Sequence, residues 1–123
     1  MPKKKTINKN NPDALKEAGN KAYLAKNYEE AIKQYSAAID LSENHIYYAN
    51  RANAYLELEN FEECIKDCVK AIEIEPSFPK SYYRKAKALI NIERLTEALD
   101  TLKTGLEMEP DNDIMKALME ETA

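Results

Sequence analysis

Tryptophan is absent from this chain of 123 residues, histidine and valine each occur once, and there are only two glycines and two cysteines. Each shortage excludes something. His45 alone suggests no Ser–His–acid set, and with only Cys64 and Cys68 beside it a tetrahedral metal site lacks ligands. Two glycines make no phosphate-cradling loop. No catalytic residue, metal, cofactor or small-molecule substrate is therefore expected. A single valine in a chain dominated by Ala, Leu, Ile, Lys and Glu argues for helix over sheet. No apolar run approaches the ~18 residues needed to span a membrane. The opening "MPKKKTINKNNP" has no apolar centre, so no secretory signal is expected. Two cysteines without such a signal read as reduced, buried core thiols and place the chain in the cytoplasm, with the nucleus as the second compartment.

Charge is scarce in one place and abundant elsewhere. The chain carries 22 acids and 18 bases, a net charge of −4. Residues 1–12 hold Lys3, Lys4, Lys5 and Lys9 and no acid, and the remainder has 14 bases against 22 acids. Nucleic acid is thus not an expected partner of the folded part. Residues 1–11 read as a disordered basic head, with import through "PKKK" as the sharper alternative. The stretch "PSFPKSYYRKAKALINI", residues 76–92, holds Lys80, Arg84, Lys85 and Lys87 and not one acid. It is either an ordinary solvated face or a site for an anion.

What is present is a repeat. "NYEEAIKQYSAAI" from Asn27, "NFEECIKDCVKAI" from Asn60 and "RLTEALDTLKTGL" from Arg94 follow at offsets of 33 and 34 residues. Small residues align across the copies: Gly19, Ala52 and Ala86; Ala31, Cys64 and Ala98; Ala38, Ala71 and Gly105. Both glycines fall in this set, and close approach of two helices would offset the helix-weakening effect of glycine. Each copy reads as two antiparallel helices joined by a short loop. Asn11, Asn27 and Asn60 are candidate N-caps, and Glu30 and Glu63 complete the pattern of a capping box. Pro76 and Pro110 close the second and third copies. The first copy is one residue shorter and has "LSENH" there.

This pattern resembles the tetratricopeptide repeat family. The resemblance implies an all-α fold: three helix-turn-helix repeats (residues 12–44, 45–78 and 79–112) stacked as a right-handed superhelix, an α-solenoid. "DIMKALMEE" places Ile114, Met115, Leu118 and Met119 on one side of a helix, so residues 113–123 read as a cap over the last repeat.

The first helices of such repeats line a concave groove. Numbered from Pro12, His45 and Pro79, the face opposite the packing positions carries Lys16 and Asn20, then Asn50 and Asn53, then Lys80, Arg84 and Lys87. None of these donors is expected to pair with an acid near it in sequence. Lys85 falls on the packing side, its stem covered and its charge reaching solvent. Point-charge lysines, a forked arginine and asparagine amides suit a carboxylate and a peptide backbone. The sequence is similar in detail to the carboxylate-clamp subgroup: "KEAGN" supplies Lys16 and Asn20, "ANR" supplies Asn50, and "KSYYR" supplies Lys80 and Arg84. That resemblance implies, as partner, the C-terminal Glu-Glu-Val-Asp tail of the ninety- or seventy-kilodalton heat-shock chaperones. Tyr23, as a candidate for the residue before that motif, leans towards the ninety class. Tyr83, Asn53 and Lys87 are further groove candidates. The implied function is a co-chaperone-type adaptor. The alternatives are a scaffold for an internal motif of another protein and a regulatory module of a larger enzyme such as a phosphatase.

Overall fold

The computed structural model describes residues 8–123; most of the basic head lies outside them. Among the described residues there are seven α-helices and no strand: α1 Pro12–Leu24, α2 Tyr28–Leu41, α3 His45–Glu57, α4 Phe61–Ile74, α5 Pro79–Asn91, α6 Leu95–Met108 and α7 Asp113–Thr122. None is long and apolar enough to cross a membrane. Each helix packs on the next in the chain, and α3 also touches α1 and α5. The odd-numbered helices therefore form one layer of a helical-repeat solenoid.

The turns inside the repeats share one device that periodicity did not reveal. Lys26, Glu59 and Glu93 have φ of 62°, 58° and 61°. Beside them Asn27, Asn60 and Arg94 donate their backbone N–H groups to the carbonyls of Ala22, Tyr55 and Leu89, and the three left-handed residues donate to Tyr23, Leu56 and Ile90. These are Schellman ends without glycine. They also explain why no capping box forms. The backbone N–H of Asn27 is already spent on Ala22, so Glu30 accepts from Gln34 Nε2 instead. The Asn11 and Asn27 side chains do cap α1 and α2, whereas Asn60 makes no side-chain cap bond. Between the first two repeats the chain uses the three residues Ser42–Asn44, one fewer than between the later ones. Asn44 Oδ1 accepts from Ile46 N at 2.8 Å to start α3.

Small residues set how closely the helices approach. A Cβ on Gly19 would lie 2.5 Å from the ring of Tyr35, and one on Gly105 would lie 2.7 Å from Met115 Sδ. Cys64 and Cys68 are fully buried, and the neighbouring Cys64 thiol together with burial raises the Cys68 thiol well above its usual range. The second repeat is tied by a buried ion pair. Arg51 donates through Nε and Nη2 to the two oxygens of Asp67, both at 2.7 Å, and through Nη1 to Ser36 Oγ at 3.0 Å. Burial pushes the Asp67 carboxyl up more than Arg51 pulls it down, while the bond to Asp67 pushes the guanidinium up. The parallel two-bond geometry decides for an ionised pair.

On α7 the expected packing face needs one correction. Met115 is fully buried and Leu118 and Met119 pack against the cluster of Ala86 and Leu102, but Ile114 is 63% exposed. At 100° per residue Ile114 stands a full 100° round the helix from Met115, beyond the edge of the stripe that faces α6.

Candidate functional site

The groove-facing residues of α1, α3 and α5 join through a hydrogen-bonded network. Tyr35, rising from α2, donates its hydroxyl to Asn20 Oδ1 at 2.6 Å, and Asn50 Nδ2 donates to the same oxygen at 3.2 Å. With its oxygen occupied twice, Asn20 is left to present its amide donors to a ligand. Asn53 Nδ2 donates to the Tyr23 hydroxyl at 2.8 Å, and that hydroxyl donates to Glu57 at 3.3 Å. Arg84 reaches across from α5 and donates through Nη1 to the carbonyl of Ala49, one residue before Asn50, at 2.8 Å. Lys80, Arg84, Asn53 and Tyr83 line one cavity, and the Lys87 ammonium lies 5.5 Å from the centre of the Tyr83 ring.

Neither Lys80 nor Arg84 lies within ion-pair distance of a carboxylate among the described residues. Burial lowers the pKa of Arg84, and the groups acting against it are the thiols of Cys68 and Cys64 and the phenols of Tyr23 and Tyr35, with no Asp or Glu among them. A half-buried guanidinium with no counter-charge is costly unless an anion arrives. Lys16 departs from the sequence expectation. Its ammonium sits 3.5 Å from Glu17 and 4.0 Å from Asp13, so it is paired with acids close to it in sequence. Both acids are exposed: Asp13 stands three residues back on the same helix face, and Glu17 is the next residue in the chain. Lys16 stands one turn before Asn20 on α1 and makes no hydrogen bond or ion pair with the other four candidates. Lys85, expected on the packing side, is half-buried.

Tyr35 is a residue of the site that sequence reasoning missed. Its ring is buried, and its hydroxyl, with a pKa pushed up by burial to about 12, acts as a permanent donor that holds Asn20. Sequence could have offered one signal: it is the bulky partner of the glycine beside Asn20.

A helical-repeat solenoid with unpaired cations and oriented amides along one inner layer is a peptide-binding class of architecture. Family models described as tetratricopeptide repeat match residues 46–78 and 79–112. The chain belongs to the tetratricopeptide repeat family. It is 38% identical over 105 residues to small glutamine-rich tetratricopeptide repeat-containing protein 2 of Mycosarcoma maydis, covering 85% of this chain and 30% of that protein. It is 43% identical over 89 residues to the Hsp70/Hsp90 co-chaperone CNS1 of Saccharomyces cerevisiae, covering 68% and 23%. The chain thus spans less than a third of either curated relative. Among solved structures, the first repeat domain of Spaghetti (RPAP3), bound to the HSP90 peptide SRMEEVD, superposes with a TM-score of 0.90 at 31% identity, covering 94% of this chain and 93% of that one.

Proposed function

We propose that this chain is a co-chaperone-type adaptor, acting in the cytoplasm without catalysis of its own, that captures the acidic C-terminal tail of a heat-shock chaperone of the ninety or seventy class. The observation that carries this reading is Arg84: a half-buried cation without a carboxylate, one turn from the equally unpaired Lys80 and beside the Asn20–Asn50 amide pair. In this reading Lys16, Asn20, Asn50 and Lys80 hold the terminal carboxylate and the adjoining backbone, and Arg84 takes a side-chain carboxylate of the tail. Lys16 exchanges its exposed partners Asp13 and Glu17 for the ligand, at little cost because such surface pairs contribute only ~0–1 kcal/mol. The names of CNS1 and of the RPAP3 complex support the ligand class. Tyr23, Asn53, Tyr83 and Lys87 flank the clamp.

Charge-assisted hydrogen bonds contribute roughly 1.5–3 kcal/mol each, and ordering a flexible tail offsets several kcal/mol. A dissociation constant on the order of micromolar is expected. The test is calorimetric titration with Met-Glu-Glu-Val-Asp as free acid and as C-terminal amide, at low and high salt. The acid binds, more weakly as salt rises, and the amide does not. If acid and amide bind alike, the groove reads an internal motif and the clamp reading is wrong.

A further inference from the structure

Packing does not require sulfur where Cys64 and Cys68 stand. The positions equivalent to Cys64 in the first and third repeats hold Ala31 and Ala98, and those equivalent to Cys68 hold Tyr35 and Leu102. All six residues are buried. Only α4, in the second repeat, carries a thiol at each, four residues apart and so on one face of the helix. The two thiols are in hydrogen-bonding contact, and Cys64 Sγ lies 3.9 Å from the carbonyl oxygen of Arg84. Ala52 and Ala88 pack against them, with Phe61 and Ile65 alongside, so the surroundings are apolar. Two charged groups act on Cys68: Asp67, which is already paired with Arg51, and Arg84, whose guanidinium has no carboxylate to balance it.

We propose that Cys64 and Cys68 together bind one Cu(I) ion between their two thiolates, with the Arg84 guanidinium as the counter-charge of the complex. Thiolates are soft ligands and select Cu(I). Structural zinc takes four ligands, and the described residues hold no group of three His, Cys, Asp or Glu that could surround a metal. A closed-shell monovalent ion is satisfied by two. A metal–thiolate bond is ~2.3 Å long, so one ion joins sulfurs up to ~4.6 Å apart, within reach of helix neighbours whose Cβ atoms stand ~5–6 Å apart. Binding replaces two S–H bonds with two Cu–S bonds and sends both protons to solvent. The product, two thiolates on one monovalent cation, carries a single negative charge. An anion in an apolar interior is costly unless it is paired, and Arg84 is a half-buried cation with no acid beside it. Each supplies what the other lacks. Arg84 also lines the groove cavity of about 480 Å³, so movement of its side chain is the entry route. The site does not depend on the clamp reading, because no tail takes part in it.

The experiment is an oxygen-free titration of the full 123-residue chain with Cu(I), in competition with a Cu(I)-selective chelator. Thiolate-to-copper absorption in the ultraviolet reads the uptake, and thermal melting is followed on the same samples. The native chain takes up one ion, more tightly as pH rises because protons leave, and melts at a higher temperature when loaded because the ion binds the folded state. Cys64→Ala puts into the second repeat the residue that the first and third already carry, so it folds, as circular dichroism checks, and it loses the uptake. Arg84→Gln keeps both thiols and weakens Cu(I) about tenfold. The site is overturned if the native chain takes up no Cu(I), if Cys64→Ala takes up as much, or if loading lowers the melting temperature, which would mean that the ion pulls the thiols out of the core. Unchanged Cu(I) affinity in Arg84→Gln would overturn the counter-charge.

Discussion

Tyr35 joins core and groove in one residue. Its ring occupies the space that Gly19 leaves open, and its hydroxyl holds the Asn20 side-chain oxygen. Tyr35→Phe keeps the ring and removes only that donor. Tail affinity should fall about tenfold, while thermal stability changes by no more than about 1 kcal/mol, read by titration and melting on the same sample. Unchanged affinity would mean that Asn50 alone orients Asn20. At this scale the sequence was readable where a residue type has one chemistry. Lys80 and Arg84 stood out because no acid stands near them in sequence, and among the described residues no carboxylate lies within ion-pair distance of either. Lys16 was read as unpaired and is not, since helical spacing brings Asp13 to it and its chain neighbour Glu17 reaches it too. Ile114 was assigned to the packed stripe, but its azimuth on α7 leaves it facing the cavity.

The helices themselves depend on how they end. Lys26, Glu59 and Glu93 sit in the left-handed region, where a Cβ costs ~1–2 kcal/mol. Glu59→Gly should raise stability by about 0.5–1 kcal/mol, because relief of that strain exceeds the entropy that glycine adds to the unfolded chain. Denaturant titration reads the change in midpoint, and a lower midpoint would show that the Glu59 side chain contributes more than its backbone costs. This device escaped sequence reading because the residues at those positions carry no turn signature. What was legible was the 33–34-residue period and the small-residue alignment. Both report helix–helix distance, and the Gly19–Tyr35 and Gly105–Met115 contacts are its physical basis.

Across the whole molecule, the stacked repeats bury tyrosines whose ionisation is linked to folding. Burial raises Tyr35 and Tyr47 to about 12, with a hydrogen bond to Asp13 adding to the effect on Tyr47. An acid whose folded pKa lies above its unfolded value of ~10 favours the folded state below pH 10 and loses that contribution as pH rises towards 12. Stability should therefore be flat near pH 8 and fall by roughly 2–3 kcal/mol between pH 9 and pH 11 from these two groups together. Denaturant midpoints across that range measure it, and a flat profile to pH 11 would refute the burial of both hydroxyls.

The amino-acid sequence by itself determined the helical class, the period and the identity of the groove cations. Helix propensity, spacing and the sign of charge are properties of residues and their order. The tertiary structure alone decided which donors are already engaged, that Tyr35 orients Asn20, and that Ile114 stands beside Lys80 and Arg84 instead of in the core. Those facts depend on the angle and distance between helices far apart in the chain, which packing sets.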